Sequence, residues 1–177
     1  MESDQELVER ANRGDSDAFE ALYYRYRDWV HRLAWRLTGN RADALDVLQE
    51  TFAYLLGKFP GFELTAAMTT FLYPVVRHTS LAVRRKNRRF ASDEETLDEL
   101  VAPVPQQDER SRSELVAVLG GLNEAQREIV LMRFVDGMSL KEIAGALDVP
   151  LGTVKSRLHH ALQALRSDCR TRDYFIE

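Results

Sequence analysis

Apolar residues recur along this chain at the three- and four-residue spacing of one helix face. Phe19, Leu22, Tyr23, Tyr26, Val30, Leu33, Ala34 and Leu37 keep it over about five turns. Asp17 with Glu20 predicts the start of that helix, and Gly39 its stop. A second helix is predicted over Asn40–Lys58, with Ala44, Val47, Leu48, Thr51, Phe52, Leu55 and Leu56 inward and Asp43, Asp46, Gln49 and Glu50 outward. Phe59-Pro60-Gly61-Phe62 breaks it, and Phe62–Thr69 reads as a loop. Thr70–Arg89 is helical again, with Phe71, Leu72, Val75, Val76, Thr79, Ala82 and Val83 inside. Pro74 falls in or near its first turn, where a missing N–H costs least.

Ala91–Ser113 has no such period. Its acidic clusters, Pro103 and Pro105 predict a flexible connection. Beyond it, Glu114–Leu119 forms a short helix stopped by Gly120-Gly121. Another runs from Asn123 to about Val135, with Ala125, Ile129, Val130, Met132 and Phe134 on its buried side. Ser139 and Glu142 then form a capping box ahead of the stripe Leu140, Ile143, Ala144 and Leu147. Pro150 ends that helix at Val149, because a residue before proline avoids the α region. A last run follows with Val154, Leu158, Ala161, Leu162 and Leu165. The pattern predicts an all-α chain: two small helical domains, 1–90 and 114–177, joined by a flexible acidic linker over 91–113. The second contains a helix-turn-helix.

Composition narrows the function. The net charge of −4 argues against a chain that coats nucleic acid along its whole surface. Its distribution is uneven, however: residues 61–90 hold six basic residues and one acidic, residues 91–114 two basic and eight acidic. The acidic start carries no signal peptide, and the longest uncharged run, Leu64–Val76, is too short to span a bilayer. A cytoplasmic protein without membrane insertion is expected. The single Cys169 excludes an internal disulfide or a cysteine-rich zinc site, and the four histidines lack ligand spacing, so neither metal nor cofactor is expected. An all-helical enzyme finds no support, since no nucleophile–base pair or phosphate loop is present.

The helix-turn-helix suggests DNA. An α-helix fits the major groove, where its first turns reach base edges. Gly152 and Thr153 are small enough for close backbone approach to a phosphate at the helix start. Lys155 and Arg157 supply charge, and Ser156, His159 and His160 share the polar face. In the first domain, Arg84-Arg85-Lys86-Asn87-Arg88-Arg89 offers five positive charges in six residues for phosphates.

Two blocks of sequence resemble bacterial extracytoplasmic-function (ECF) sigma factors. Val149-Pro150-Leu151-Gly152-Thr153-Val154-Lys155-Ser156-Arg157-Leu158 is similar to the family's promoter-reading helix, and residues 122–134 to the segment ahead of it. Asp43-Ala44-Leu45-Asp46-Val47-Leu48-Gln49-Glu50-Thr51-Phe52 is similar to its segment that docks on core RNA polymerase. The resemblance implies polymerase contacts at Asp43, Asp46, Gln49 and Glu50. It implies capture of the melted −10 strand by Phe62, Phe71, Arg77, His78, Arg84, Arg85, Lys86, Arg88 and Arg89, with Phe62 and the loop after it forming the pocket for a flipped base. Reading of the −35 duplex would fall to Gly152, Thr153, Lys155, Ser156, Arg157, His159 and His160. The family usually carries tryptophan at Phe71, asparagine at His78, an acidic residue at Leu45 and more arginine after Leu158. Implied partners are core RNA polymerase, promoter DNA and an inhibitory anti-sigma factor. A stand-alone helix-turn-helix regulator is the alternative, with the first domain used for dimerisation or ligand binding.

Overall fold

The computed structural model describes residues 2–90 and 118–167, without the side chains of Arg88, Arg89 and Phe90. The expected linker, the start of the helix at Glu114, Cys169 and the tail to Glu177 lie outside the described residues. Every regular element among those described is an α-helix, and they form two compact units.

The first unit contains α1 (Asp4–Asn12), α2 (Ser16–Thr38), α3 (Arg41–Leu56) and α4 (Met68–Phe90). Helix α1 was not expected from the pattern. Ser3 and Glu6 cap it reciprocally, and Leu7, Val8 and Ala11 bury one side. Arg25 of α2 ties it down by donating to Asp4 at 2.5 Å, and the hydroxyl of Tyr26 bonds the same carboxylate. Helix α2 starts two residues earlier than the Asp17–Glu20 pair suggested. Asp15 is its N-cap, accepting from the N–H groups of Asp17 and Ala18. Bonding to Arg10, and then to those N–H groups, holds the Asp15 carboxyl below its ordinary range. Gly39 closes α2 in the left-handed region at φ 71°, and Asn40 caps α3.

The core of this unit is Ala18, Leu22, Val30, Leu33 and Ala34 of α2 against Ala44, Val47, Phe52 and Leu55 of α3 and Leu72, Tyr73 and Val76 of α4. Three expectations change. Leu56, placed inward by spacing, is 54% exposed, because the helix ends there and turns away from the core. Ala82 is exposed as well. Helix α4 begins at Met68, fully buried, so Pro74 is its seventh residue and sits in the second turn, on the exposed side.

The second unit contains α5 (Glu124–Phe134), α6 (Leu140–Ala146) and α7 (Leu151–Ser167). Asn123–Gln126 and Ser139–Glu142 are both reciprocal capping boxes. Val118, Leu119, Leu122, Val130, Leu131, Ala161 and Leu165 form a core cluster, with Leu158 and Leu162 packed against it. Arg127 holds the turn before α5 by donating to the carbonyls of Leu119, Gly120 and Leu122. Phe134, expected inside, is exposed at the last turn of α5. Between α6 and α7 the chain turns through Asp148, whose φ of 51° lies in the left-handed region that aspartate tolerates.

Candidate nucleic-acid interface

Helix α7 is anchored on one side by Val154, Ala161 and Leu165, all buried. That anchoring turns Gly152, Lys155, Ser156, His159 and His160 to solvent, with Thr153 and Arg157 half-buried at the edges of the same face. The predicted reading residues therefore share one surface. A Cβ at Gly152 would meet nothing within 4 Å, so the space in front of the first turn is open. The Thr153 N–H is occupied by the Pro150 carbonyl at 2.9 Å, which leaves any anion at this end to the N–H groups ahead of it. The rings of His159 and His160 meet edge to face at 5.7 Å.

On α3, Asp46, Gln49 and Glu50 are exposed, and no described intramolecular hydrogen bond or ion pair occupies them. They are flanked by Leu45 and Tyr54, 44% and 48% exposed, and by Leu56. The face is thus mixed acidic and apolar, where the sequence singled out only its polar members. Asp43 differs from the other three: it is half-buried and accepts from Asn87 of α4 at 2.7 Å.

The loop after α3 is held by a residue the sequence did not single out. Asn12, the last residue of α1, accepts from the N–H groups of Gly61 (2.7 Å) and Phe62 (3.0 Å) and donates to the Phe62 carbonyl (2.9 Å). Its signal was its place one residue past the buried Ala11, but its partners lie fifty positions away. Phe62 is thereby drawn inward. It is only 9% exposed and packs against Phe59 at 5.5 Å and Phe71 at 4.8 Å. The ring is therefore part of the core rather than a surface side chain. Phe71 is half-buried and stacks on Tyr54 at 6.3 Å. Open space lies beside this loop, in a groove of about 580 Å³ lined by residues 11–16 with Phe19, Leu56, Phe59 and Pro60. Replacing Asn12 with alanine leaves the exposed Gly61 amide to water but strands the partly buried Phe62 amide and carbonyl. Stability should fall by about 1–3 kcal/mol, seen as a lower denaturant midpoint, with faster hydrogen exchange at those two amides.

On α4, Arg77, His78, Arg85 and Lys86 are exposed. His78 and Arg85 lie opposite the buried stripe, with Arg77 and Lys86 on its two flanks. Arg84, beside Arg77 at the edge of the buried stripe, is half-buried and donates to the Leu37 carbonyl at 3.3 Å. The side chains of Arg88 and Arg89 lie outside the described residues.

Comparison with known proteins places these surfaces in a family. Residues 22–90 match the model of sigma-70 region 2, and residues 112–165 the model of sigma-70 region 4. The ECF RNA polymerase sigma factor SigW of Bacillus subtilis is 28% identical, over 92% of this chain and 95% of its own. The ECF RNA polymerase sigma-E factor of Escherichia coli K12 is 31% identical, over 92% of each. Among solved structures, CnrH in complex with the cytosolic domain of CnrY shares the fold with a TM-score of 0.69, at 20% identity over 99% of this chain and 100% of that one. The sigma factor RpoE of Bartonella quintana, in complex with the anti-sigma factor NepR, does so at 0.63, with 24% identity over 84% of this chain and 94% of that one. Two helical units in this order, each matching its region model, and a relative at 31% identity over nearly the full length lead to one conclusion: the chain belongs to the ECF RNA polymerase sigma factors, initiation factors that direct promoter-specific transcription and are not enzymes.

Proposed function

We propose that the first unit docks on core RNA polymerase through Asp46, Gln49 and Glu50, while α4 holds the melted −10 strand along Arg77, His78, Arg85 and Lys86. Arg88 and Arg89 extend that basic run in sequence. Helix α7 of the second unit reads the −35 duplex with Gly152, Thr153, Lys155, Ser156, Arg157, His159 and His160. The domains are 1–90 and 114–177, with 91–113 as the tether between them, and the protein acts in the cytoplasm.

The single observation that carries this reading is the mixed face of α3. Three polar side chains stand exposed with no described partner among exposed Leu45, Tyr54 and Leu56. Such a face suits a helical partner with basic and apolar residues, since charge complementarity fixes register and apolar burial supplies affinity. Each DNA surface needs only modest affinity of its own. Once both units sit on one polymerase, the second contact is made at high effective concentration. An anti-sigma factor would inhibit by covering the same surfaces. The Bartonella protein of the same fold was solved in complex with the anti-sigma factor NepR.

Gel filtration with bacterial core polymerase tests the docking face. The parent chain should co-elute, and the Asp46→Ala/Gln49→Ala/Glu50→Ala variant should bind at least about tenfold more weakly, the loss of about 1.4 kcal/mol or more. Equal co-elution of parent and variant would move the docking surface elsewhere.

A further inference from the structure

The one residue without charge in the basic run of α4 is Asn87. It continues the inner stripe of the helix, following Val76, Ser80 and Val83 at helical spacing. Val76 and Ser80 are buried and Val83 is half-buried. Where the apolar core ends, this stripe ends in a polar link: Nδ2 of Asn87 donates to Oδ2 of Asp43, in the first turn of α3, at 2.7 Å. One turn earlier, Arg84 donates to the carbonyl of Leu37 in the last turn of α2. Two tethers one turn apart fix the rotation of the helix about its own axis. Arg85 and Lys86, both exposed, are thereby held outward.

We infer that Asn87 is a positioning residue for the captured strand: its bond to Asp43 sets the angle of the basic face of α4 and ties it to the start of the docking helix. The inference rests on the reading that α4 holds the −10 strand. It also takes Asp43 out of the polymerase-contacting set, because its carboxylate is engaged within the bundle. A neutral amide suits this place. It donates to the carboxylate in a charge-assisted bond without adding another cation to a stretch already rich in them.

The test uses holoenzyme assembled from the full chain at saturating core polymerase. The probe is a fluorescently labelled single strand carrying the −10 sequence that the wild-type holoenzyme enriches from a random pool. Affinity is measured across a salt series for Asn87→Ala, Asp43→Ala, their double variant, and Arg85→Ala. Asn87→Ala and Asp43→Ala should each weaken strand binding about three- to tenfold, the range one exposed charge-assisted bond supports. The double variant should be no weaker than either single one. The salt slope should be unchanged in Asn87→Ala, whereas Arg85→Ala, losing a phosphate contact, should reduce it by about 0.7. Exchanging the pair, as Asp43→Asn with Asn87→Asp, should restore affinity that Asn87→Asp alone removes. Parental affinity in Asn87→Ala with weakened binding in Arg85→Ala overturns the positioning role alone, as do single effects that multiply in the double variant. Parental affinity in both Asn87→Ala and Arg85→Ala overturns the placement of the strand on α4, and the positioning role with it.

Discussion

Replacing Gly152 with aspartate should abolish reading of the −35 duplex while leaving the fold intact. A side chain at Gly152 meets no protein atom within 4 Å, and the residue sits at the exposed start of α7. The helix tolerates the change, since an acidic residue in a first turn interacts favourably with the helix dipole. What it alters is the surface offered to DNA. A carboxylate takes the place where a phosphate would approach the backbone, next to Lys155 and Arg157. Like-charge juxtaposition across an interface costs several kcal/mol, and each 1.4 kcal/mol is tenfold, so binding should fall about a hundredfold or more. The measurement is holoenzyme affinity for duplex −35 sequence enriched by the wild type, beside thermal unfolding of the free chain. Unchanged unfolding with lost duplex binding is the expected pair. Retained binding would show that DNA does not approach this end of α7.

The second large effect separates two roles for one aromatic ring. Phe62→Ala should lower the stability of the first unit by about 3–5 kcal/mol, the cost of emptying a buried phenyl site. A surface stacking residue would behave differently. Its removal would cost about 1–3 kcal/mol in strand binding and leave stability nearly unchanged. Phe62 is buried against Phe59 and Phe71, with the Asn12 side chain holding its backbone. Denaturant unfolding of the variant should therefore show the whole loss, and Leu in place of Phe62 should recover part of it. A variant that unfolds like the parent but binds the −10 strand weakly would return Phe62 to the DNA surface.

What the sequence revealed and what it hid divide along physical lines. The long helices were legible because each carries one apolar stripe of many residues, and that stripe alone decides which side is buried. The exposed face of α7 followed in the same way, from Val154 and Leu158 pointing inward. Helix α1 was hidden because nine residues with three buried side chains make a weak pattern, and because much of what holds it is bonding to Arg25 and Tyr26 of another helix. The burial of Phe62 was hidden for a related reason: it depends on Asn12, distant in sequence. Leu56 misled because spacing extends a stripe past the point where the chain turns away. At Asp43, helical position correctly placed the carboxylate at the rim of α3, but no one-dimensional pattern reveals that Asn87 reaches it from α4.

The Asn12 contact also orders events during synthesis. A ribosome releases Asn12 fifty residues before the Phe62 carbonyl it will bind. Until then α1 is held by its buried Leu7, Val8 and Ala11 and by the bonds of Asp4 and Arg10. The first helix to emerge is thus fully fastened only once Gly61 and Phe62 have been added and have reached Asn12.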